Sequence, residues 1–193
     1  TQMIELMELL ISKGMAYAPG NGDVYLEVRK VKNYLSLSNQ KLDDLQSADD
    51  ADVKHKKDPR DFALWKSSKD NISDRDHGEL YWNSPWGKGR PGWHIECVAL
   101  ALSYLPASNT SSITLQGGGA DLIFPHHYMT AIQARALNDK PFASIYAHCG
   151  MIGLDGEKMS KSRGNLVFVS RLLQAGHQPE AIRMALLSRH YRS

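Results

Sequence analysis

Segments typical of helices and of strands alternate along the second half of the chain, and this alternation limits its fold more than any other sequence feature. In chain order the pattern predicts a helix, a strand, a helix, a strand and two final helices, over residues 92–105, 113–116, 125–137, 144–153, 169–175 and 179–187. Strands that alternate with helices favour a parallel sheet whose faces are covered. We therefore expect an α/β fold over residues 81–193.

Residues 1–80, which precede this alternation, have a different sequence pattern. An amphipathic helical pattern over residues 3–14 precedes an alternating, strand-like stretch at 22–28. Residues 36–57 are polar and charged, and a short apolar segment returns at 61–66. We expect residues 1–80 to form an inserted α+β subdomain. Because the chain starts inside a helical pattern without a capping residue, we also expect it to be a fragment of a longer protein.

The composition excludes several classes of protein. A chain of 193 residues with 42% hydrophobic content can bury one sizeable core. No stretch predicts a membrane span and no secretory signal pattern opens the sequence, so we expect no membrane partner and a cytoplasmic location. The 23 basic residues nearly cancel the 21 acidic ones, which argues weakly for a small acceptor rather than a nucleic acid.

Two lysines, Lys158 and Lys161, lie on a glycine-flanked loop that follows the strand expected at 144–153. Ammonium groups on a mobile loop, with serine hydroxyls beside them, suit the neutralisation of a pyrophosphate leaving group. A run of charge is more often only a solvated surface. The complete string over residues 156–165, however, resembles the signature loop of the class I aminoacyl-tRNA synthetases.

Cys97 and His126 are candidate metal ligands. Trp93 and Cys97 are four residues apart and share one helix face, and His126 opens the next helix 29 residues later. A thiolate and an imidazole could meet at a zinc ion, although a lone cysteine is more often a small buried hydrophobic residue, and two ligands do not hold structural zinc. Cys149, on an apolar strand, is expected to be a core thiol.

Three glycines at 117–119 follow a strand and precede Asp121. Glycines in this position let the backbone approach a nucleotide closely, and an acidic residue beyond them can accept hydrogen bonds from ribose hydroxyls. A glycine triplet by itself is more often only a turn.

Three segments together resemble one family. Residues 89–97, 117–127 and 156–165 are similar to cysteinyl-tRNA synthetase and to its sister, the cysteine ligase of mycothiol biosynthesis. The resemblance spans nearly the whole chain. It implies the carboxyl-terminal half of a Rossmann-type parallel sheet with an inserted subdomain, in an ATP-dependent enzyme. The other ATP motif of this class is missing from the sequence, so this chain alone is expected to be inactive.

The resemblance implies an amino-acid site. Cys97 and His126 would ligate one zinc ion per subunit together with a cysteine from outside the chain, and the metal would bind the thiolate of substrate L-cysteine. Trp93 would contact the bound cysteine. A soft metal would prefer this sulfur to the hydroxyl of serine by far more than pocket shape alone could achieve.

A nucleotide site for ATP, used with magnesium, is implied as well. Gly119, Ala120 and Asp121 would contact the ribose, and the backbone of Ile152 would contact adenine. Lys161, supported by Lys158, would contact the pyrophosphate.

The acceptor of the activated cysteine is open, and one position bears on it directly. Where the synthetases have Glu-Asn-Glu, whose second Glu completes the zinc shell, this chain has Tyr128, Met129 and Thr130. The mycothiol ligases have Thr or Ser at the place of Thr130. A hydroxyl is a poor zinc ligand beside a carboxylate, so the centre would keep one coordination position free, as catalytic zinc does.

Other segments divide between the two sisters. Residues 150–153 and 163–170 resemble the ligases, whereas 37–45 and 61–66 resemble the synthetases. Because the region nearest the chemistry carries more weight, the first expectation is a monomer that transfers cysteine to the amine of glucosaminyl-inositol. The alternative is the charging of tRNA(Cys). A non-catalytic paralogue that binds cysteine or a nucleotide is disfavoured by the intact lysine pair, since a binder has no leaving group to stabilise.

Overall fold

A computed structural model gives the structure of the chain and describes residues 2–31, 53–68, 80–105 and 110–192. Its α-helices are α1 (Gln2–Ser12), α2 (Trp93–Tyr104), α3 (Tyr128–Asn138), α4 (Val169–Gln174) and α5 (Pro179–Leu187). Its strands are β1 (Ala16–Tyr17), β2 (Val24–Leu26), β3 (Phe62–Ser67), β4 (Gly89–Pro91), β5 (Ile113–Gly119), β6 (Ala143–Cys149), β7 (Gly153–Leu154) and β8 (Glu157–Lys158). The synthetase-like segment at 37–45 lies outside the described residues.

The chain divides into two compact units. Unit 1 comprises Thr1–Gln116 and Phe124–Ile145, and unit 2 comprises Gly117–Ile123 and Tyr146–Ser193. The division passes through β5 and β6. The domain boundary expected between residues 80 and 81 stays a prediction.

In unit 1, β1 to β4 form an antiparallel sheet in that order among the described residues. β2 lies inside this sheet, and its residues Val24, Tyr25 and Leu26 are all buried. Its neighbour β3 buries Leu64 and Trp65. β-Branched and aromatic side chains suit such a pleated, enclosed surface. The short apolar segment expected at 61–66 is therefore a strand of this sheet.

Helices α1, α2 and α3 pack against one another in unit 1. Their facing sides bury Met7, Leu10, Ile95, Val98, Ala99, Tyr128, Ile132 and Leu137. Each large apolar side chain buried in this way stabilises the fold by about 1.5–3 kcal/mol. Helix α3 ends where Asp139 takes a left-handed conformation (φ 57°) and its N–H donates to the carbonyl of Arg135.

β5 and β6 form a parallel pair, and α3 lies between them in the chain. This strand–helix–strand order confirms the expected α/β class. β5 extends to Gly119, so the prediction that glycines 117–119 follow the strand is wrong, since they form its end. Within the described ranges no helix is both long enough and apolar enough to cross a bilayer.

The helix expected from residue 125 begins later than predicted. Phe124 has extended backbone angles (φ −136°, ψ 135°), and Ile123–His127 form a wide helical turn ahead of α3. Regular helix therefore starts at Tyr128. The helices expected at 92–105, 169–175 and 179–187 are confirmed as α2, α4 and α5 to within one residue at each end.

Unit 2 contains the β7–β8 hairpin and helices α4 and α5. Pro179 lies at the start of α5, where its missing N–H removes no helical hydrogen bond. Every described residue of this unit is exposed or half-buried.

Candidate active site

The start of α2 and the entry to α3 place three aromatic side chains together in unit 1. The ring of Trp93 stacks on that of His126, with centroids 4.1 Å apart. Nδ1 of His94 lies 2.9 Å from Nδ1 of His126, within hydrogen-bond distance. His126 is buried, whereas 57% of Trp93 is exposed. The structure therefore brings Trp93 and His126, both predicted site residues, into direct contact.

A tight backbone contact fixes where α2 begins. Gly92 caps the helix in extended conformation, and its N–H donates to the carbonyl of Leu64 on β3 at 2.8 Å. A Cβ at this position would lie 2.3 Å from the carbonyl oxygen of Ala63. Only glycine permits this approach, so the sheet directly positions Trp93 and the residues that follow it.

The imidazole pair is neutral at pH 7. Burial, and to a smaller degree the charge of His126, lowers the pKa of His94 to about 4, and burial lowers the pKa of His126. One Nδ1 must then donate to the other. When His126 donates, its Nε2 keeps a lone pair for a metal, as in most metal-bound histidines, whose other ring N–H bonds to a neighbour. Sequence reasoning assigned His94 no role. Its position about one turn before Cys97 was the sequence signal that could have identified it as a site residue.

Cys97 lies three residues after His94 on α2, so the two side chains project from one side of the helix about one turn apart. Burial, with a smaller contribution from Glu96, raises the pKa of the Cys97 thiol. A thiolate and an imidazole are donors that zinc prefers, so Cys97 and His126 fit this metal. Among the described residues no cluster of three or more His, Cys, Asp or Glu could hold a metal.

Thr130, at the position where the resemblance to the synthetases implies a carboxylate, is fully buried on α3. Its hydroxyl donates to the carbonyl of His127 at 2.9 Å and accepts from Nε2 of Gln116 at 3.2 Å. The hydroxyl proton is thus committed to the helix backbone. Thr130 therefore offers a metal neither a carboxylate nor a hydroxyl that is free of hydrogen bonds.

Two glutamines make this part of the core unexpectedly polar. Gln133, one turn after Thr130, is fully buried, and neither atom of its amide has a hydrogen-bond partner within the described part of the chain. Oε1 of Gln116 is also unpartnered there. Buried amides are normally paired, so these groups are a feature that sequence reasoning missed. A buried glutamine carries no local sequence signal.

In unit 2, the residues expected to bind the ribose lie at the end of β5 and on the 3₁₀ turn that follows it. A Cβ at Gly119 would lie 2.5 Å from Oδ1 of Asp121 and 3.2 Å from Sδ of Met151. The absence of a side chain at Gly119 therefore lets the chain fold back on itself. Asp121 and Ala120 are exposed on a 3₁₀ turn, and Ile152, beside Met151, is 54% exposed.

The lysine loop of unit 2 begins with the β7–β8 hairpin, in which Gly153 pairs with Lys158. Its turn residues Asp155 (φ 52°) and Gly156 (φ 79°) both have positive φ, as in the type I′ turns that suit two-residue hairpins. Lys158 ends β8, and its side chain and that of Lys161 are exposed.

Asn165 closes the rest of this loop. Its Oδ1 accepts from the N–H of Ser160 at 2.9 Å, and its Nδ2 donates to the carbonyl of Lys158 at 3.2 Å. Glu157 pairs with Arg163 at 2.8 Å. The two lysine ammonium groups therefore extend from a loop whose own polar groups are joined to each other. The positive charge of the two lysines is therefore available to an anion and is not used in the contacts that close the loop.

Cys149 departs from expectation. It was expected to be a core thiol, but its side chain is exposed, and its Sγ donates to the carbonyl of Gly118 at 3.5 Å. The prediction is wrong because unit 2 has no buried core within the described residues to enclose the outer face of β6.

Comparison with known proteins identifies the class. Residues 1–193 match the family of class I (C) tRNA synthetase catalytic domains, and the chain belongs to that family. Over all 193 of its residues it is 48% identical to a cysteine–tRNA ligase of Nitratidesulfovibrio vulgaris, strain DP4, and 46% identical to one of Geobacter sulfurreducens. It is also 48% identical to a cysteine–tRNA ligase of Desulforudis audaxviator. The chain spans 37% of the length of the first two relatives.

Proposed function

We propose that the protein containing this chain activates L-cysteine with ATP and transfers the cysteinyl group to tRNA(Cys). The observation that carries this proposal is the 46–48% identity, over the whole chain, to three cysteine–tRNA ligases. The acceptor expected first from the sequence, the amine of glucosaminyl-inositol, has no support from these relatives. The identity therefore favours the second of the two acceptors.

The reaction has two steps. The carboxylate of cysteine attacks the α-phosphorus of ATP, so cysteinyl-adenylate forms and pyrophosphate leaves. A ribose hydroxyl of the tRNA then attacks the carbonyl carbon of this mixed anhydride, and AMP leaves. Because the anhydride is already reactive, the protein contributes mainly positioning and the stabilisation of charge.

The residues of unit 1 would recognise the amino acid. Cys97 and His126 would hold zinc, which when bound supplies a strong preference for a thiolate over a hydroxyl. His94 would keep the His126 ring oriented through the 2.9 Å contact between their Nδ1 atoms. Trp93 would cover the ligand with its exposed ring face. In this assignment cysteine is separated from serine by the chemistry of its donor atom, so no editing site is needed.

The residues of unit 2 would handle the nucleotide. The exposed carboxylate of Asp121 and the backbone at Gly119 and Ala120 would hold the ribose, and the backbone of Ile152 would meet adenine. Lys161, with Lys158, would stabilise the pyrophosphate as it leaves, when ATP is bound with magnesium. The side chains of Asp121, Lys158 and Lys161 are exposed, which this role requires.

The glucosaminyl-inositol amine is kept as a second candidate acceptor because of one position. Thr130 stands where the synthetases have a ligating Glu, and its hydroxyl is engaged by His127 and Gln116. A centre without that carboxylate is what the resemblance to the mycothiol ligases implies.

The test is a competition between acceptors. Full-length protein would be incubated with radiolabelled cysteine, ATP, tRNA(Cys) and glucosaminyl-inositol, and both products would be separated and counted. We expect label on the tRNA. Label on the amino sugar alone would replace the proposed acceptor with the second candidate. Tight binding of cysteine without any pyrophosphate exchange would instead support a non-catalytic paralogue.

A further inference from the structure

We propose that a water molecule is bound in the core of unit 1, between the side chains of Gln116, Thr130 and Gln133. Gln116 lies on β5 and the other two residues lie on α3, so the site joins a strand of the parallel pair to the helix that follows it. All three residues belong to unit 1. The inference does not depend on the acceptor that the protein uses.

The packing of α3 encloses these polar groups. Thr130 and Gln133 are fully buried, and so is the Oε1 atom of Gln116. α3 packs against α1 and α2, and its residues Ile132 and Ala134 are buried beside the glutamine. Bulk solvent therefore does not reach the amide atoms, and any partner that they have must be bound inside the fold.

The hydrogen bonds that are formed determine which atoms need this partner. The Thr130 hydroxyl donates its one proton to the carbonyl of His127, so towards Gln116 it can only accept. The amide of Gln116 must therefore present Nε2 to Thr130, which leaves its Oε1 unpartnered in the described part of the chain. Oε1 and Nε2 of Gln133 are unpartnered there as well. These three atoms comprise two acceptors and one donor group.

The two amides are close enough to share one ligand. Nε2 of Gln116 lies 3.2 Å from Oγ1 of Thr130. Gln133 follows one turn later on α3, where the Cβ atoms of such neighbours are about 5–6 Å apart. Because long side chains on a helix lie over the turn that precedes them, that of Gln133 extends towards Thr130. A molecule that forms hydrogen bonds of about 3 Å can then contact both amides.

The chemistry of the site favours water over an ion. None of the three side chains is charged, so they would not offset the cost of burying an ion. A cation would bind the two carbonyl oxygens but repel the N–H group of Gln133, and an anion would do the reverse. A water molecule can donate to both oxygens and accept from the N–H group, and buried waters typically make about three hydrogen bonds.

The water would extend a series of contacts that reaches the candidate cysteine site. From Gln116 the series runs through the Thr130 hydroxyl to the carbonyl of His127 at 2.9 Å. His127 is next to His126, in the turn that leads into α3. The bound water therefore supports the backbone that carries His126, and its loss should loosen residues 123–130.

Two measurements on the full-length protein detect the water directly. A high-resolution crystal structure should show a density peak within about 3.2 Å of both amides. The magnetic relaxation of solvent ¹⁷O reports waters that stay bound for long times, and it should find one fewer in Gln133→Met than in wild type. The matched control is Leu137→Met, which places the same side chain at another buried position of α3 and should retain every such water.

Amide hydrogen exchange provides an effect whose sign is decisive. With the water bound, Gln133→Met leaves Oε1 of Gln116 without its partner, so exchange across residues 123–138 should accelerate about tenfold. If the amides had no partner in solution either, removing one of them would stabilise the helix and exchange would slow down. Leu137→Met conserves volume and should have a smaller effect.

Several outcomes would overturn the proposal. They are slower exchange in Gln133→Met, an equal loss of bound water in Leu137→Met, and a crystal structure in which the two amides bond directly to each other. The crystal structure of the wild-type protein decides the question even if Gln133→Met does not fold. The competition between acceptors measures a different property, so failure of the water site and failure of the proposed function are distinguishable.

Discussion

Units 1 and 2 present their candidate functional residues in opposite ways. In unit 1 the ring of His126 is buried and Cys97 is half-buried, each held by helices that pack against one another. In unit 2 Asp121, Lys158 and Lys161 are exposed, and no described residue of the unit is buried. Selecting a small thiol requires donors held in fixed positions, whereas stabilising a leaving group requires charge that can reach it.

The support behind these residues differs in the same way. Several polar contacts of unit 1 join residues far apart in the chain, namely those of Asp61 with Val28 and Tyr17 and that of Asp58 with Arg29. Asp61 accepts hydrogen bonds from the N–H of Val28 at 2.9 Å, from the N–H of Asp58 at 3.1 Å and from the hydroxyl of Tyr17 at 2.7 Å. Asp58 in turn accepts from Arg29 and Arg60. The lysine loop of unit 2 is closed instead by bonds between near neighbours in sequence.

The largest effect expected is on catalysis, from unit 2. Lys161→Ala in the full-length protein should slow pyrophosphate exchange about 10²- to 10³-fold, because one charge that we propose stabilises the leaving group is lost. Cysteine affinity should stay the same, since Lys161 is exposed and supports no core. Parallel losses of exchange rate and of cysteine affinity would mean that the loop is structural. Lys140→Ala is the control.

The next effect is on the stability of unit 1. Asp61→Ala should lower the free energy of unfolding by about 3 kcal/mol, because three buried or part-buried donors lose their acceptor. Hydrogen exchange followed peptide by peptide would localise the loss to unit 1. Glu8→Ala, at an exposed position of α1, should change stability little. If both variants behaved alike, the buried network would not support the unit.

Acid should destabilise unit 1. The hydrogen bonds of Arg60 hold the pKa of Asp58 well below its usual range. Burial would raise the pKa of Asp23, but hydrogen bonds from the Ser67 N–H, Tyr25 and Lys66 outweigh burial and lower it.

The direction of the pH effect follows from these shifts. A carboxyl whose pKa is lower in the folded state stabilises the fold above its unfolded pKa, and that stability is lost as the pH falls through the folded value. Protection of unit 1 from hydrogen exchange should therefore decline below about pH 4. Asp58→Asn should reduce this decline. An unchanged pH profile would show that the carboxylate does not carry it.

The smallest effect expected is local to the lysine loop. Asn165→Ala removes the bonds to Ser160 and Lys158, which together should contribute about 1–2 kcal/mol to closing the loop. Amide exchange should accelerate across residues 157–165 and stay unchanged in unit 1. A loss of protection that spread into unit 1 would contradict the local character of this support.

The same contrast explains how much the sequence could predict. Helices α2, α4 and α5 follow from local apolar spacing and from Gly176 and Pro179 beside them, so their ends were placed closely. The lysine loop was recognisable because its residues are contiguous. A pattern made of contiguous residues can be recognised from the sequence alone.

What could not be predicted depends on contacts across the chain. The approach of His94 to His126 joins residues 32 positions apart. The burial of Gln133 is set by the packing of α3 against its neighbours, and the exposure of Cys149 by the lack of anything over β6 in the described structure. No periodicity encodes these relations.

The stacking of Trp93 on His126 provides an optical readout that needs no label. An excited indole loses its fluorescence by electron transfer to an adjacent imidazole, most efficiently when that ring carries positive charge. A cation arriving at His126, or a ligand sliding between the rings, should therefore change the emission of Trp93. Titrations of zinc and of cysteine could thus be followed directly in the unmodified protein. The Trp93→Phe variant would give the emission of the remaining tryptophans, which can then be subtracted.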